Sequence, residues 1–227
     1  MEKKTVVNLI SESDDKNIIV SPRGNGELYL PYFKEESHFV NNIEYIKFIR
    51  GVESLIRRSK EYKAYISYLK NTVGLKRCMV FGNIDDEKAP VEMHHGPIFT
   101  LFDYVELCTV ATFRDKKQSV SSFRIADYVL QDHFDNLIQV VMLCEAAHEA
   151  VHPDPNKKDV KPEFVNIDSA WGDLIGYINK YGSYFNYSHV HRIKRYMKEY
   201  TEHKEAPGER FTVFKEAMKK WNPGEFK

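Results

Sequence analysis

The sequence is short of cysteine: Cys78, Cys108 and Cys144 stand far apart among 227 residues, and no CxxC pair occurs. That excludes a thiolate zinc knuckle, and an odd number leaves no complete disulfide framework, so a reducing compartment suits the chain. An excess of charge of either sign is lacking too. Lys+Arg and Asp+Glu each number 33, which excludes a global basic field that wraps nucleic acid and confines any phosphate contact to a local patch. No apolar run approaches the roughly 18 residues of a membrane span, and no basic-apolar-small leader opens the chain. The expectation is a cytoplasmic chain with no membrane partner. Internal repeats and low-complexity tracts are also missing. What is present is a 42% hydrophobic content, enough to bury one core, with or without an appended helical lobe.

Along the chain, residues 1–37 alternate short apolar runs with turn formers such as Arg23-Gly24-Asn25-Gly26 and predict a β-hairpin. Over 41–71, apolar residues recur at three- and four-residue spacing with Arg57, Arg58, Lys60 and Lys63 between them. That predicts one long helix, or two broken near Gly51, stopped at Gly74. Residues 78–81 and 91–94 read as a second hairpin ending in histidines. Helices are expected over 98–113 and 123–134, then a strand or buried turn over 137–143. A short helix over 145–152 is closed by Pro153-Asp154-Pro155, because proline cannot continue it. Helical spacing fills 167–203 and 209–221. The fold class is α+β and mainly helical, with short β-hairpins. Three segments are expected: 1–75 as N-terminal hairpin and long helix, 76–160 as a core with a helical insertion over 98–132, and 161–227 as a C-terminal helical segment.

His148 and His152 are four apart, which on a helix puts both imidazoles on one face, able to share a metal. With nine histidines in the chain, such a pair also arises as a solvated helix face. Glu92-Met93-His94-His95 sharpens the reading. Successive strand residues point to opposite faces, so one of two adjacent histidines can bind a metal while the other faces a substrate. Glu92 shares the face of His94 and is a candidate to orient it, or a solvated strand charge.

Glu92-Met93-His94-His95, Asp135-Asn136-Leu137 and His148-Glu149-Ala150-Val151-His152 together resemble the motif of the HNH, or ββα-metal, nucleases. The resemblance implies a ββα-metal core in which His94, His148 and His152 hold one divalent cation, Zn²⁺, Ni²⁺, Mg²⁺ or Mn²⁺. It implies that His95 is a general base activating water, and that Asn136 holds the loop or the His95 ring by a hydrogen bond. A cation so held offsets charge developing on a phosphodiester transition state. His94-His95-Gly96-Pro97 followed by Phe99-Thr100-Leu101-Phe102-Asp103 is also similar to HNH-type proteins of tailed phages, which implies a viral origin and the host cytoplasm as location.

Other features have plainer readings. Asp132-His133 reads as an exposed helix terminus. Arg57 and Arg58, Lys116 and Lys117, and Arg192, Lys194 and Arg195 are candidate nucleic-acid contacts, with a solvated helix face as the alternative for the last group. Tyr and Phe, 14 each, are spread along the chain as packing residues. Two functions compete. One is a metal-dependent endonuclease acting on DNA in preference to RNA. The other is a non-enzymatic, phage-encoded binding or inhibitory protein that uses the ββα unit as a metal-stapled scaffold. In either case the helices after residue 165 are available to dock a protein partner or build a homodimer.

Overall fold

The computed structural model describes residues 7–10, 17–23, 27–29, 39, 42–116, 120–152, 163–203 and 206–221. The expected α+β, mainly helical fold is what forms. Near the N-terminus β1 (Val7–Ile10), β2 (Asn17–Arg23) and β3 (Glu27–Tyr29) make an antiparallel sheet in that order. The β2–β3 pair, with Ser21 opposite Tyr29 and Arg23 opposite Glu27, supplies the hairpin expected there.

Two helices follow, but Gly51 is not where they part. Helix α1 (Asn42–Arg58) runs through Gly51, and the break falls at Ser59 before α2 (Lys60–Tyr68). Buried Ile49 and Val52 anchor the chain on both sides of Gly51, and such anchoring outweighs the ~1 kcal/mol that glycine costs inside a helix. Ser59 has extended backbone, and its Oγ accepts from the Tyr62 N–H at 3.0 Å, an N-cap that starts a new helix. A π-turn over Leu69–Val73 then ends at Gly74, whose φ of 86° is left-handed, so the predicted stop is where the chain stops.

The second hairpin is a correction. Residues 78–81 form a turn, and β4 (Val91–His95) pairs instead with β5 (Val140–Cys144), His94 opposite Val141 and His95 opposite Val140. All five β5 residues are buried, so that apolar run has most to gain from the centre of the sheet. The 78–81 turn reaches β5 through Met79 N–H to Met142 O at 2.7 Å. Val140 and Trp171 exchange two backbone bonds of 2.8 and 2.9 Å on the same strand. Gly172 follows with φ 109°, and a Cβ there would run into the Ile138 carbonyl oxygen.

Between the paired strands lie α3 (Leu101–Lys116) and α4 (Ser122–Phe134), the latter capped by Ser121 Oγ on the Arg124 N–H. Helix α5 (Glu145–Val151) starts directly from β5. Helices α6 (Leu174–Tyr181), α7 (Tyr187–His203) and α8 (Glu209–Lys220) complete the described chain. One buried cluster draws on all three expected segments, with Ile49, Val52 and Ile56 of α1, Ile125 and Val129 of α4, and Tyr200, Phe211 and Phe214 from the C-terminal helices. Each such apolar side chain, fully withdrawn from water, contributes about 1.5–3 kcal/mol. A second cluster, Cys78, Val141, Leu143, Cys144, Ala147, Val165 and Ala170, seats α5 against the strands. Cys78 and Cys144 are small core residues with free thiols.

Candidate functional site

Strand alternation sends His94 and His95 to opposite faces of the β4–β5 pair, and the two meet different neighbours. His94, half-buried, faces α5. Its ring lies 5.1 Å from that of His148 and 5.0 Å from that of His152, centroid to centroid, and the latter two are 4.8 Å apart. One nitrogen from each of the three rings lies within 4.8 Å of the other two. His148 sits on the last turn of α5. His152 is the residue after it, with extended backbone that turns its side chain back, and its Nε2 comes to 3.2 Å from Nε2 of His148.

Burial holds the imidazole of His94 down at about 4, aided by His152, His148 and Arg57. Burial, then His148, lowers His152 as well. Both rings are therefore neutral with a lone pair to offer at neutral pH, the state a metal needs. A tetrahedral ion with Zn–N bonds of 2.0–2.1 Å would separate its donor atoms by about 3.3 Å, close to the 3.2 Å between the paired Nε2 atoms. The same distance serves a hydrogen bond from one neutral ring to the other.

His95 does not join this group. It is 4% exposed, and its Nε2 lies 2.9 Å from Nε2 of His133 on α4. Nδ1 of His133 is 2.7 Å from the Val129 carbonyl oxygen, which can only accept, so Nδ1 carries the His133 proton. Its Nε2 then accepts, and His95 Nε2–H donates. Tyr62 stacks on His95 at 6.0 Å and Tyr65 meets His133 edge-on at 5.2 Å. Desolvation first, then His133, pushes His95 well below its ordinary value, and burial brings His133 down to about 4. A ring enclosed in this way lies on the strand face away from the three-histidine cluster, a geometry that does not suit the expected general base. His133 and Asp132, read from sequence as an exposed helix end, are 0% and 1% exposed. Asp132 takes Lys180 Nζ at 2.5 Å and the Tyr181 hydroxyl at 2.7 Å.

Asn136 holds the loop and not the His95 ring. It has a left-handed φ of 56°, accepts Trp171 Nε1–H on Oδ1 at 3.1 Å, and its carbonyl accepts from the Asp173 N–H at 2.6 Å. Glu92 is exposed, and among the described residues no hydrogen bond or ion pair joins it to His94. Of the cations expected to touch nucleic acid, Arg192 Nε points to Asp103 Oδ1 at 3.6 Å, Arg195 to Glu199 at 3.7 Å and Arg57 to Glu53 at 4.0 Å. Arg58 and Lys194 are exposed. The Lys116 side chain and Lys117 lie outside the described residues.

A second group that reasoning from sequence missed is Asp103, Glu106 and His189. His189 Nε2 lies 3.3 Å from Glu106 and 4.0 Å from Asp103. However, Nδ1 of His189 accepts the Asn186 N–H at 3.2 Å, which puts the neutral ring's proton on Nε2. Ligation through Nε2 would need the other tautomer, whose Nδ1–H would face the Asn186 N–H, so this group reads as a polar brace between α3 and α7. The Asn-x-x-His spacing at the start of α7 was the available signal.

The site also opens onto a groove of about 520 Å³ lined by His94, Val151, Glu163, Phe164, Tyr196 and His203, among others. Phe164 stacks between His203 at 5.0 Å and Tyr196 at 5.4 Å.

No curated protein and no solved structure matches the chain. The expected kinship with HNH nucleases finds no counterpart in a family match, whereas the phage affiliation does. A family model described as bacteriophage G278-like virion protein matches residues 1–225, nearly the whole length, and the chain belongs to that family.

Proposed function

We propose that the protein is a non-enzymatic component of the virion in which His94, His148 and His152 hold one divalent cation that ties α5 to β4. The observation that carries this reading is the split between neighbours: three imidazoles from two elements converge, while the fourth, His95, is enclosed against His133. A cation site without an accessible base has what a clasp requires and lacks what hydrolysis requires. Membership in a virion protein family supports a structural role and makes other virion proteins, or further copies of this chain, the natural partners. Three neutral imidazoles suit Zn²⁺ or Ni²⁺, whereas Mg²⁺ and Mn²⁺ prefer oxygen donors.

One observation favours the nuclease reading as runner-up: β4, antiparallel β5 and α5 are arranged strand, strand, helix, with histidines at the first strand's end and on the helix. A plasmid-nicking assay with Mg²⁺, Mn²⁺, Zn²⁺ and Ni²⁺ in turn decides between them. The clasp predicts stoichiometric Zn²⁺ uptake that His148→Ala removes, with intact plasmid throughout. Metal-dependent nicking that disappears in His148→Ala would overturn the non-enzymatic reading.

A further inference from the structure

We infer that Glu163 supplies the fourth ligand to the cation held by His94, His148 and His152, making the site closed. This rests on the clasp reading above and deepens it. Three neutral imidazoles leave a divalent ion with its full charge and one position short of the four that structural zinc sites fill. A carboxylate would supply both the missing donor and a compensating negative charge.

The groove beside His94 contains three carboxylates, Glu163, Glu199 and Glu202. Two of these are engaged along α7: Glu199 with Arg195 at 3.7 Å and Glu202 with Lys198 at 3.8 Å. Glu163 makes no ion pair among the described residues. Its backbone is nonetheless fixed in relation to the cluster, because the Glu163 N–H donates to the Ala150 carbonyl at 2.8 Å. Ala150 lies midway between His148 and His152 in the chain, so this bond sets the root of the Glu163 side chain against the turn that carries two of the three imidazoles. The side chain is exposed and rotates without dismantling any packing. Its carboxylate is outside the set whose donor atoms already lie within 4.8 Å, so closure is a rotamer change brought about by the cation.

The test uses the full chain and two readouts, Zn²⁺ affinity by competition with a chromophoric chelator and the visible absorption of the Co²⁺ form. Wild type should give the intense spectrum of a four-coordinate tetrahedral site. Glu163→Gln should bind Zn²⁺ about 100-fold more weakly, at the upper end of the roughly 10–100-fold lost with an outer-sphere partner. Its Co²⁺ spectrum should weaken as water enters, and Glu199→Gln should match wild type in both readouts. Glu163→Gln that retains wild-type affinity and spectrum, while His148→Ala abolishes binding, would overturn the Glu163 assignment and leave the three-histidine site standing. A wild-type chain that takes up neither Zn²⁺ nor Co²⁺ would overturn the clasp and the fourth ligand together. Far-UV circular dichroism of each variant separates lost ligation from lost folding.

Discussion

Helix α5 should owe much of its docking to the cation, and the size of that dependence can be worked out. It has seven residues, and the side chain of Cys144 at its N-cap makes no capping hydrogen bond. Isolated helices shorter than about 12–15 residues are marginal in water, so tertiary ties must hold it. Among its own residues only Ala147 is fully buried, a small contribution. A ligand that binds the native state alone adds about 2.7 kcal/mol at a free concentration 100 times its Kd. For a chain of this length 1 kcal/mol corresponds to roughly 2–4 °C in Tm, so saturating Zn²⁺ should raise Tm by about 5–11 °C. Differential scanning calorimetry with Zn²⁺ and then with excess EDTA measures this, and amide exchange over residues 145–152 shows where the protection falls. His148→Ala should have a flat response. A shift under about 1 °C in wild type, or an equal shift in His148→Ala, would refute the reasoning, the first by showing no linkage and the second by placing the metal elsewhere.

Three further outcomes follow from the core. His133, held down to about 4 by burial, has a folded value below its unfolded one near 6.5, so its contribution is complete above pH 6.5 and is lost as pH falls towards 4. Urea unfolding at pH 5 should show about 2 kcal/mol less stability than at pH 7 from this ring alone, and equal stabilities would contradict its neutral burial. Tyr104→Phe removes the hydroxyl that accepts the buried Gln139 N–H at 3.1 Å and should cost about 1–3 kcal/mol by urea midpoint; no loss would mean that N–H finds another acceptor. Asn136→Gly should lose about 1 kcal/mol with the bond to Trp171, and Asn136→Ala about 1 kcal/mol more for its left-handed backbone. Identical losses would dismiss the backbone share.

How far the sequence could be read depended on whether a signal was local. The Gly74 stop, the span of α5 and the opposite facing of His94 and His95 follow from one residue's backbone freedom, one Pro-Asp-Pro and one strand's period. Each was legible. The partner of β4 was not, because the nearest strand-like run, 78–81, competes in sequence with a more apolar one at 140–144, and only burial decides between them. Gly51 misled for a related reason: its local cost is smaller than the burial of Ile49 and Val52 on either side. The site divided in the same way. The shared face of His148 and His152 could be anticipated from spacing and their meeting with His94 from the resemblance to HNH nucleases, whereas the fate of His95 turned on His133, a residue 38 positions away whose helix end gives no sign in sequence of being buried.

His95 is therefore the residue at which a catalytic and an architectural account part most sharply. If it were a base, His95→Ala would spare folding and remove chemistry. On the geometry described, the substitution leaves Nε2 of His133 without its donor, opens space beside Tyr62 and Tyr104, and should cost about 3 kcal/mol. Glutamine keeps an N–H donor near the same place, so His95→Gln should recover part of that loss. Zn²⁺ affinity should stay within about twofold of wild type in both variants, since the ring faces away from His94 across the strand. Melting curves and chelator competition on the same samples make the comparison. A His95→Ala protein that melts like wild type, or one that retains its stability but loses Zn²⁺ tenfold, would mean that His95 works with the cluster, and the separation of the two faces of β4 would have to be abandoned.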